Sequence, residues 1–184
     1  LHLAPDTEEA LAFVVALANT DPGATRTGGD ELDTVDGLSD LLTRYTYSGR
    51  IDHDEAELRD VRQARDALRA VWVLDRDDAV RAVNTMLREA RALPYLTRHD
   101  DQDWHLHATD PGAPLAERIR VEAALALIDV IRMNETGRLR VCAADDCTGL
   151  FIDLSRNGSK RFCGVRCGNR MNMTAFRARR SAAG

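Results

Sequence analysis

The four cysteines of the chain fall within 26 consecutive residues near its C-terminal end, and the other residues include none. They form two short-spaced pairs, Cys142 with Cys147 and Cys163 with Cys167, separated by fifteen residues. Each pair supplies two sulfurs from one local turn, and the gap is long enough for a hairpin to bring the second pair back to the first. Two disulfides, buried free thiols and a redox pair are the competing readings. Disulfides require an oxidising compartment, and unrelated buried thiols would scatter along the chain instead of clustering. The spacing therefore favours one Zn2+ held by Cys142, Cys147, Cys163 and Cys167. Four thiolates fill a tetrahedral shell and leave no position for water or substrate, so the expected role is structural. Metal binding would then act as folding free energy for the segment, on the order of 10 kcal/mol.

The flanking sequence has the punctuation of a small module. Residues 138–141 read as a short strand leading into the first pair. Residues 149–154 read as a second strand, residues 155–159 as a turn with Asn157 and Gly158 at its tip, and residues 160–162 as a return strand. From Gly164 to Arg180 the pattern is helical, which puts the second cysteine pair at a helix N-terminus, where backbone N–H groups favour thiolate charge. A cysteine-bearing turn, a hairpin and a ligand-bearing helix make a treble-clef-like order.

The preceding 137 residues read as helical. Helical spacing of apolar residues marks segments at 7–18, 32–45, 55–72 and 79–90, with a break expected at Gly37-Leu38-Ser39 and a capping box expected at Asp52 and Glu55. Tyr95–Arg98 and Trp104–His107 flank an acidic turn and predict a β-hairpin. A last helix, from Leu115 to about Glu135, is apolar nearly all round and is expected at the centre of the core. The join at Thr136-Gly137 is too short for a free tether, so the C-terminal module should pack on the body.

The formal net charge of −5 hides an asymmetry. Residues 1–137 carry 15 basic and 27 acidic residues, a formal −12; residues 138–184 carry 10 basic and 3 acidic, a formal +7. An acidic body with a basic terminal module fits nucleic-acid contact, although the basic face could instead dock on the acidic body. The apolar stretch Leu11–Ala18 follows acidic residues and does not resemble a leader, and no run suits a membrane span. A cytoplasmic protein with reduced thiols is the expectation.

On the C-terminal helix, Arg166, Arg170, Arg177 and Arg180 fall in one broad stripe with Met173, bordered by Asn169 and Asn172. Met171, Ala175 and Ala178 share a stripe suited to packing. Arginine pairs phosphates or guanine edges, and asparagine reads adenine. The expected nucleic-acid contacts are thus Arg166, Asn169, Arg170, Arg177 and Arg180, with Arg156, Lys160 and Arg161 from the hairpin on phosphates. For Asn169 and Arg170 a structural role beside the metal turn competes with this one. His99, His105 and His107 with Asp100, Asp101 and Asp103 form a second ligand-like cluster, but no fixed ligand spacing is met and an ordinary exposed hairpin is preferred. Trp72, Trp104, Tyr45 and Tyr47 could line a pocket, though such residues are more often core. No nucleophile elbow, phosphate loop or HExxH is present, so an enzymatic role has no motif behind it.

Cys167-Gly168-Asn169-Arg170, together with Leu139-Arg140-x-Cys142, Leu150-Phe151-x-Asp153, Ser155-Arg156 and Arg161-x-Cys163, resembles the CGNR zinc-finger family. Upstream, Leu17-Ala18-Asn19-Thr20, Asp30-x-Leu32 and the Trp104 segment are similar to the ABATE domain that precedes this finger. Phe162 departs from the pattern, which has tryptophan there, at a position with no ligand role. The resemblance implies a bacterial, stress-induced transcription regulator whose finger binds DNA. The expected fold class is mainly α: a helical N-terminal domain with a small β-hairpin at 1–137, for ligand or partner sensing, then a treble-clef-like four-cysteine zinc finger at 138–184. The expected partners are DNA, a small-molecule effector and a second copy in a homodimer, since one finger buries little DNA surface. The alternative is a zinc-stabilised protein-interaction module that binds no nucleic acid.

Overall fold

The computed structural model of the chain describes residues 3–45, 47–98 and 103–181. Its described elements are mainly helical, with two short antiparallel hairpins. Pro5 opens α1 (Pro5–Ala18) at a position where a missing N–H costs nothing. Thr34 caps α2 (Val35–Arg44) by accepting from the Gly37 amide at 3.1 Å. The break expected at residues 37–39 does not occur. Gly37 instead lets the helix approach the preceding loop, because a Cβ there would lie 2.6 Å from the Glu31 carbonyl oxygen.

The helix α3 (Glu55–Trp72) does begin with a capping box, but two residues later than the sequence suggested. Asp54 accepts from the Glu57 amide at 2.8 Å, and the Glu57 carboxylate accepts from the Asp52 and His53 amides, each at 3.0 Å. Asp75 caps α4 (Arg76–Glu89) in the usual way. The expected hairpin is present as β1 (Tyr95–Thr97) and β2 (His105–His107), with Leu96 opposite Leu106. Most of its turn, including His99, Asp100 and Asp101, lies outside the described residues.

As its composition requires, α5 (Leu115–Arg132) occupies the centre, packed against α1, α3 and α4. Leu11, Leu17, Leu58, Leu68, Ile119 and Leu127 are among the fully buried side chains of this core. Removal from water stabilises each by roughly 1.5–3 kcal/mol. Asn134, in the left-handed region at φ 58°, ends the helix; a single 3-10 turn (Thr136–Arg138) then leads directly into β3 (Leu139–Val141). Antiparallel β4 (Leu150–Ile152) pairs with β3, and Leu150 is buried in the core of the helical body. The C-terminal module is therefore docked, as the short join requires. Last comes α6 (Val165–Ser181).

Residues 160–162 do not form the expected return strand. The Lys160 amide donates to the Asp153 carboxylate at 2.9 Å, and the Lys160 carbonyl accepts from Arg140 Nη1 at 3.0 Å. Side chains thus take the groups that a strand ladder would use. No described helix is long and apolar enough to cross a membrane.

Candidate metal centre and the helix it presents

The turn between β3 and β4 closes when the Cys142 amide donates to the Gly149 carbonyl at 2.7 Å and the Cys147 amide to the Ala144 carbonyl at 3.0 Å. This turn carries the first cysteine pair. Cys163 lies two residues before the start of α6, and Cys167 lies in its first turn. The Ala143 amide donates to the Arg161 carbonyl at 2.9 Å, which ties the two halves together. All four sulfurs lie within 4.8 Å of one another, and Cys142, Cys147 and Cys167 are buried.

Two of the gaps, Cys147 to Cys163 and Cys163 to Cys167, are 3.8 Å between sulfurs. A disulfide would need about 2.05 Å. A tetrahedron with Zn–S bonds of about 2.3 Å has edges of about 3.8 Å. The donor set and its spacing therefore fit one zinc ion, and the four cysteines could hold it. Backbone amides support the sulfurs: Gly149 N–H points to Cys147 Sγ at 3.4 Å and Cys163 N–H to Cys142 Sγ at 3.5 Å.

The electrostatics agree. Burial alone would raise the Cys142 thiol; hydrogen bonds from the amides of Cys163 and Ala144, together with those from the Cys163 and Cys167 side chains, outweigh it and hold the thiol below its ordinary value. Burial, followed by the neighbouring sulfurs, pushes the Cys163 thiol far above its ordinary range. Four thiolates this close repel one another unless a cation sits among them, so metal uptake would be coupled to proton release.

A second layer of polar contacts fixes the loop after β4. Fully buried Asp153 accepts from the Ser155 amide and hydroxyl as well as from Lys160 N–H, with Arg140 at 3.6 Å. Burial would raise this carboxyl, and the hydrogen bonds from Ser155 and Lys160, with the Arg140 charge, hold it below the usual range. Arg138 donates to the Asp153 and Ser155 carbonyls at 3.1 and 2.6 Å. Arg138 and Arg140 thus work inside the fold.

The arginine stripe separates into two kinds of residue. Half-buried Arg170 donates to Asp146 at 2.5 Å and lies 3.7 Å from Cys167 Sγ, so it braces the metal turn. Asp146 as its partner was not legible, because nothing in the spacing marks one of two adjacent aspartates. Exposed side chains are found at Arg156, Lys160, Arg161, Arg166, Asn169, Arg177 and Arg180. Among the described residues none of these cations forms an ion pair. Lys160 lies over the Phe151 ring at 5.1 Å, Arg161 over Phe162 at 5.6 Å and Arg180 over Phe176 at 5.9 Å. Cys167 is the one buried residue of α6. The packing expected for Met171, Ala175 and Ala178 is confined to half-buried Met171 beside the cysteines, and from Asn172 onward the described residues of the helix are exposed.

The hairpin histidines are not the exposed pair the sequence favoured. His105 is buried, with Nδ1 at 2.8 Å from the Asp103 carbonyl and Nε2 at 3.0 Å from His107 Nε2. Among the described residues the four cysteines form the one group of three or more suited to a metal. Of the aromatic candidates, Trp72 is core and Trp104 is exposed, whereas Tyr45 and Tyr47 line a cleft.

Comparison with protein-family models gives two matches. The ABATE model, described as "Putative stress-induced transcription regulator", matches residues 11–134, and the CGNR zinc finger model matches residues 138–180. A search of curated proteins finds no match.

Proposed function

The chain belongs to the ABATE family and carries a CGNR zinc finger, and from that premise we propose that it is a zinc-dependent regulator whose finger binds duplex DNA. In this reading residues 1–137 sense an effector and residues 138–184 bind DNA. The observation that carries it is the state of α6. Arg166, Arg177 and Arg180 are exposed and unpaired on a helix anchored at one end by the cysteine cluster. Among the described residues none of them meets a carboxylate of the acidic body, so the positive face is open to a polyanion. Arg156, Lys160 and Arg161 extend that face onto the loop after β4 and supply phosphate contacts. Asn169 borders the same face and would reach base edges. Arg170 reads best as a brace for the metal turn, which helps hold the helix in position. A homodimer would double the phosphate contacts, and the thiolate site implies a reducing, cytoplasmic setting.

A second reading has its own observation. Met173 and Phe176, 52% and 47% exposed, lie on α6 among the arginines. They would suit a protein partner of a zinc-stabilised interaction module. Fluorescence anisotropy with a random-sequence duplex over a range of salt concentrations separates the two readings. Each phosphate contact contributes about 0.9 to the slope of log K against log salt. Changing Arg166, Arg177 and Arg180 together to Ala should lower that slope by about 2.7. An unchanged affinity and slope would remove DNA from the proposal and leave the interaction module.

A further inference from the structure

The helical body contains a cleft of about 1010 Å³, bordered by α1, the segment after α2, the β1–β2 hairpin and α5. That is the size of a small-molecule site. Its aromatic wall is Phe13, with the Tyr45 ring edge-on at 5.5 Å and the Tyr47 ring tilted at 4.9 Å. On the α5 side stands Glu122, 27% exposed, which accepts the Tyr47 hydroxyl at 2.7 Å. Burial, then the charge of Glu122, pushes the Tyr47 hydroxyl well above its ordinary range. Tyr47 is therefore a neutral donor to the Glu122 carboxylate. The Nδ1 of neighbouring His107 lies 4.0 Å from the Glu122 carboxylate.

The charges around the cleft favour a cation. Asp6, Glu9, Glu122 and Asp129 line it, against two arginines. One of these, Arg118, is turned to structural use, donating to the backbone carbonyls of Ser48, Arg50 and Ala113. Its guanidinium already lies over the Tyr47 ring at 5.4 Å, so this wall accepts positive charge on an aromatic face. An aromatic wall with a partly buried carboxylate at its base is complementary to an ammonium group on an apolar body.

We propose that this cleft binds an amphipathic organic amine, with its ammonium on Glu122 and its apolar body against Phe13 and Tyr45. The proposal supplies a ligand class for the sensing role given above to residues 1–137 and rests on that role. The test is calorimetric titration of the zinc-loaded full chain, without DNA, using three probes on one skeleton: 4-phenylbutylamine, 4-phenylbutan-1-ol and 4-phenylbutyrate. The amine should bind about ten-fold more tightly than the alcohol, and the carboxylate most weakly. Glu122→Gln, which keeps the shape and an acceptor for Tyr47, should abolish the amine's advantage over the alcohol. Zinc content and circular dichroism verify that the variant is folded. Equal binding of amine and alcohol, preference for the carboxylate, binding of no probe, or an amine advantage that survives in folded Glu122→Gln would each overturn the proposal. The wild-type probe series does not depend on the variant's folding. Because DNA is absent from the titration, a failure of DNA binding and a failure of this site are read separately.

Discussion

Asn19 holds Leu150 by both polar groups of its peptide. Its side-chain Nδ2 donates to the Leu150 carbonyl at 2.9 Å, and its Oδ1 accepts from the Leu150 amide at 2.7 Å. The first residue is the C-cap of α1, a wall of the cleft; the second begins the finger strand β4. Nearby, the Thr148 amide donates to the Gly23 carbonyl at 2.9 Å, and Arg69 bridges the Ala18 and Thr148 carbonyls. Asn19→Ala removes two hydrogen bonds and leaves buried backbone groups unpaired, at a cost of about 2–3 kcal/mol. Urea unfolding of the zinc-loaded protein measures that loss, and hydrogen exchange should show the Leu150 amide losing protection first. An Asn19→Ala protein as stable as wild type would mean that the finger is held by the apolar burial of Leu150 alone.

Removal of the metal should act on one end of the molecule. The body has a continuous apolar core, whereas the finger has a small cluster built on Cys142, Ala144, Cys147 and Cys167. Metal binding of this kind supplies on the order of 10 kcal/mol of folding free energy. The purified protein should contain one zinc per chain. Chelation should remove the helical signal of α6 while leaving the emission of buried Trp72 and the cooperative melting of the body intact. Loss of both signals in a single step would show that the body cannot stand without the finger.

The helices and the cysteine cluster were legible because both depend on local spacing. Leu58, Val61, Ala64, Leu68, Val71 and Trp72 recur at the helical period and are all buried. Two sulfurs from each turn can meet in only a few ways. What escaped was decided by long-range polar contacts. The expected strand at Lys160–Phe162 is pre-empted by Asp153 and Arg140, whose competition for its backbone groups has no sequence period. The same holds for Arg170, whose partner Asp146 is 24 residues away. The cleft was invisible for a similar reason: Phe13, Tyr47 and Glu122 come together only when α1 and α5 pack.

The body should also lose stability in acid through Asp30. Burial would raise this carboxyl, but the hydrogen bond from Arg65, the Leu32 amide and the Arg65 charge hold it below the ordinary carboxylate value. The Arg65 side chain, 6% exposed, lies 2.7 Å from Asp30 and also reaches the Thr20 hydroxyl. A carboxyl depressed in the folded state contributes stability above its unfolded pKa of about 3.9, and this is lost as pH falls through the folded value. Asp30→Asn should therefore lower thermal stability at neutral pH and flatten its dependence on pH below about 4. Arg65 would keep only the exposed carboxylate of Asp66, 3.2 Å from its Nε, so the neutral-pH loss should reach about 2 kcal/mol. A wild-type and a variant protein with parallel stability curves down to pH 2.5 would remove Asp30 from the acid response.

Gly149 gives the sharpest test of the four-sulfur cage. A Cβ at this position would lie 3.0 Å from Cys163 Sγ and 3.2 Å from Cys147 Sγ, so the sulfurs would have to give by a few tenths of an ångström. The residue is buried, and its amide and carbonyl are both engaged in the metal turn, so that shift falls on the sulfurs of the cage. Gly149→Ala should weaken zinc binding by about ten- to a hundred-fold, the range seen when the support of a metal ligand is disturbed. Gly164 supplies the control: it lies beside Cys163, yet an added Cβ meets nothing within 4 Å. Gly164→Ala should therefore retain wild-type affinity. Competition with a zinc-sensitive chromophoric chelator measures all three proteins under one condition. If Gly149→Ala and Gly164→Ala compete equally well, the sulfurs do not close on the ion beside Gly149.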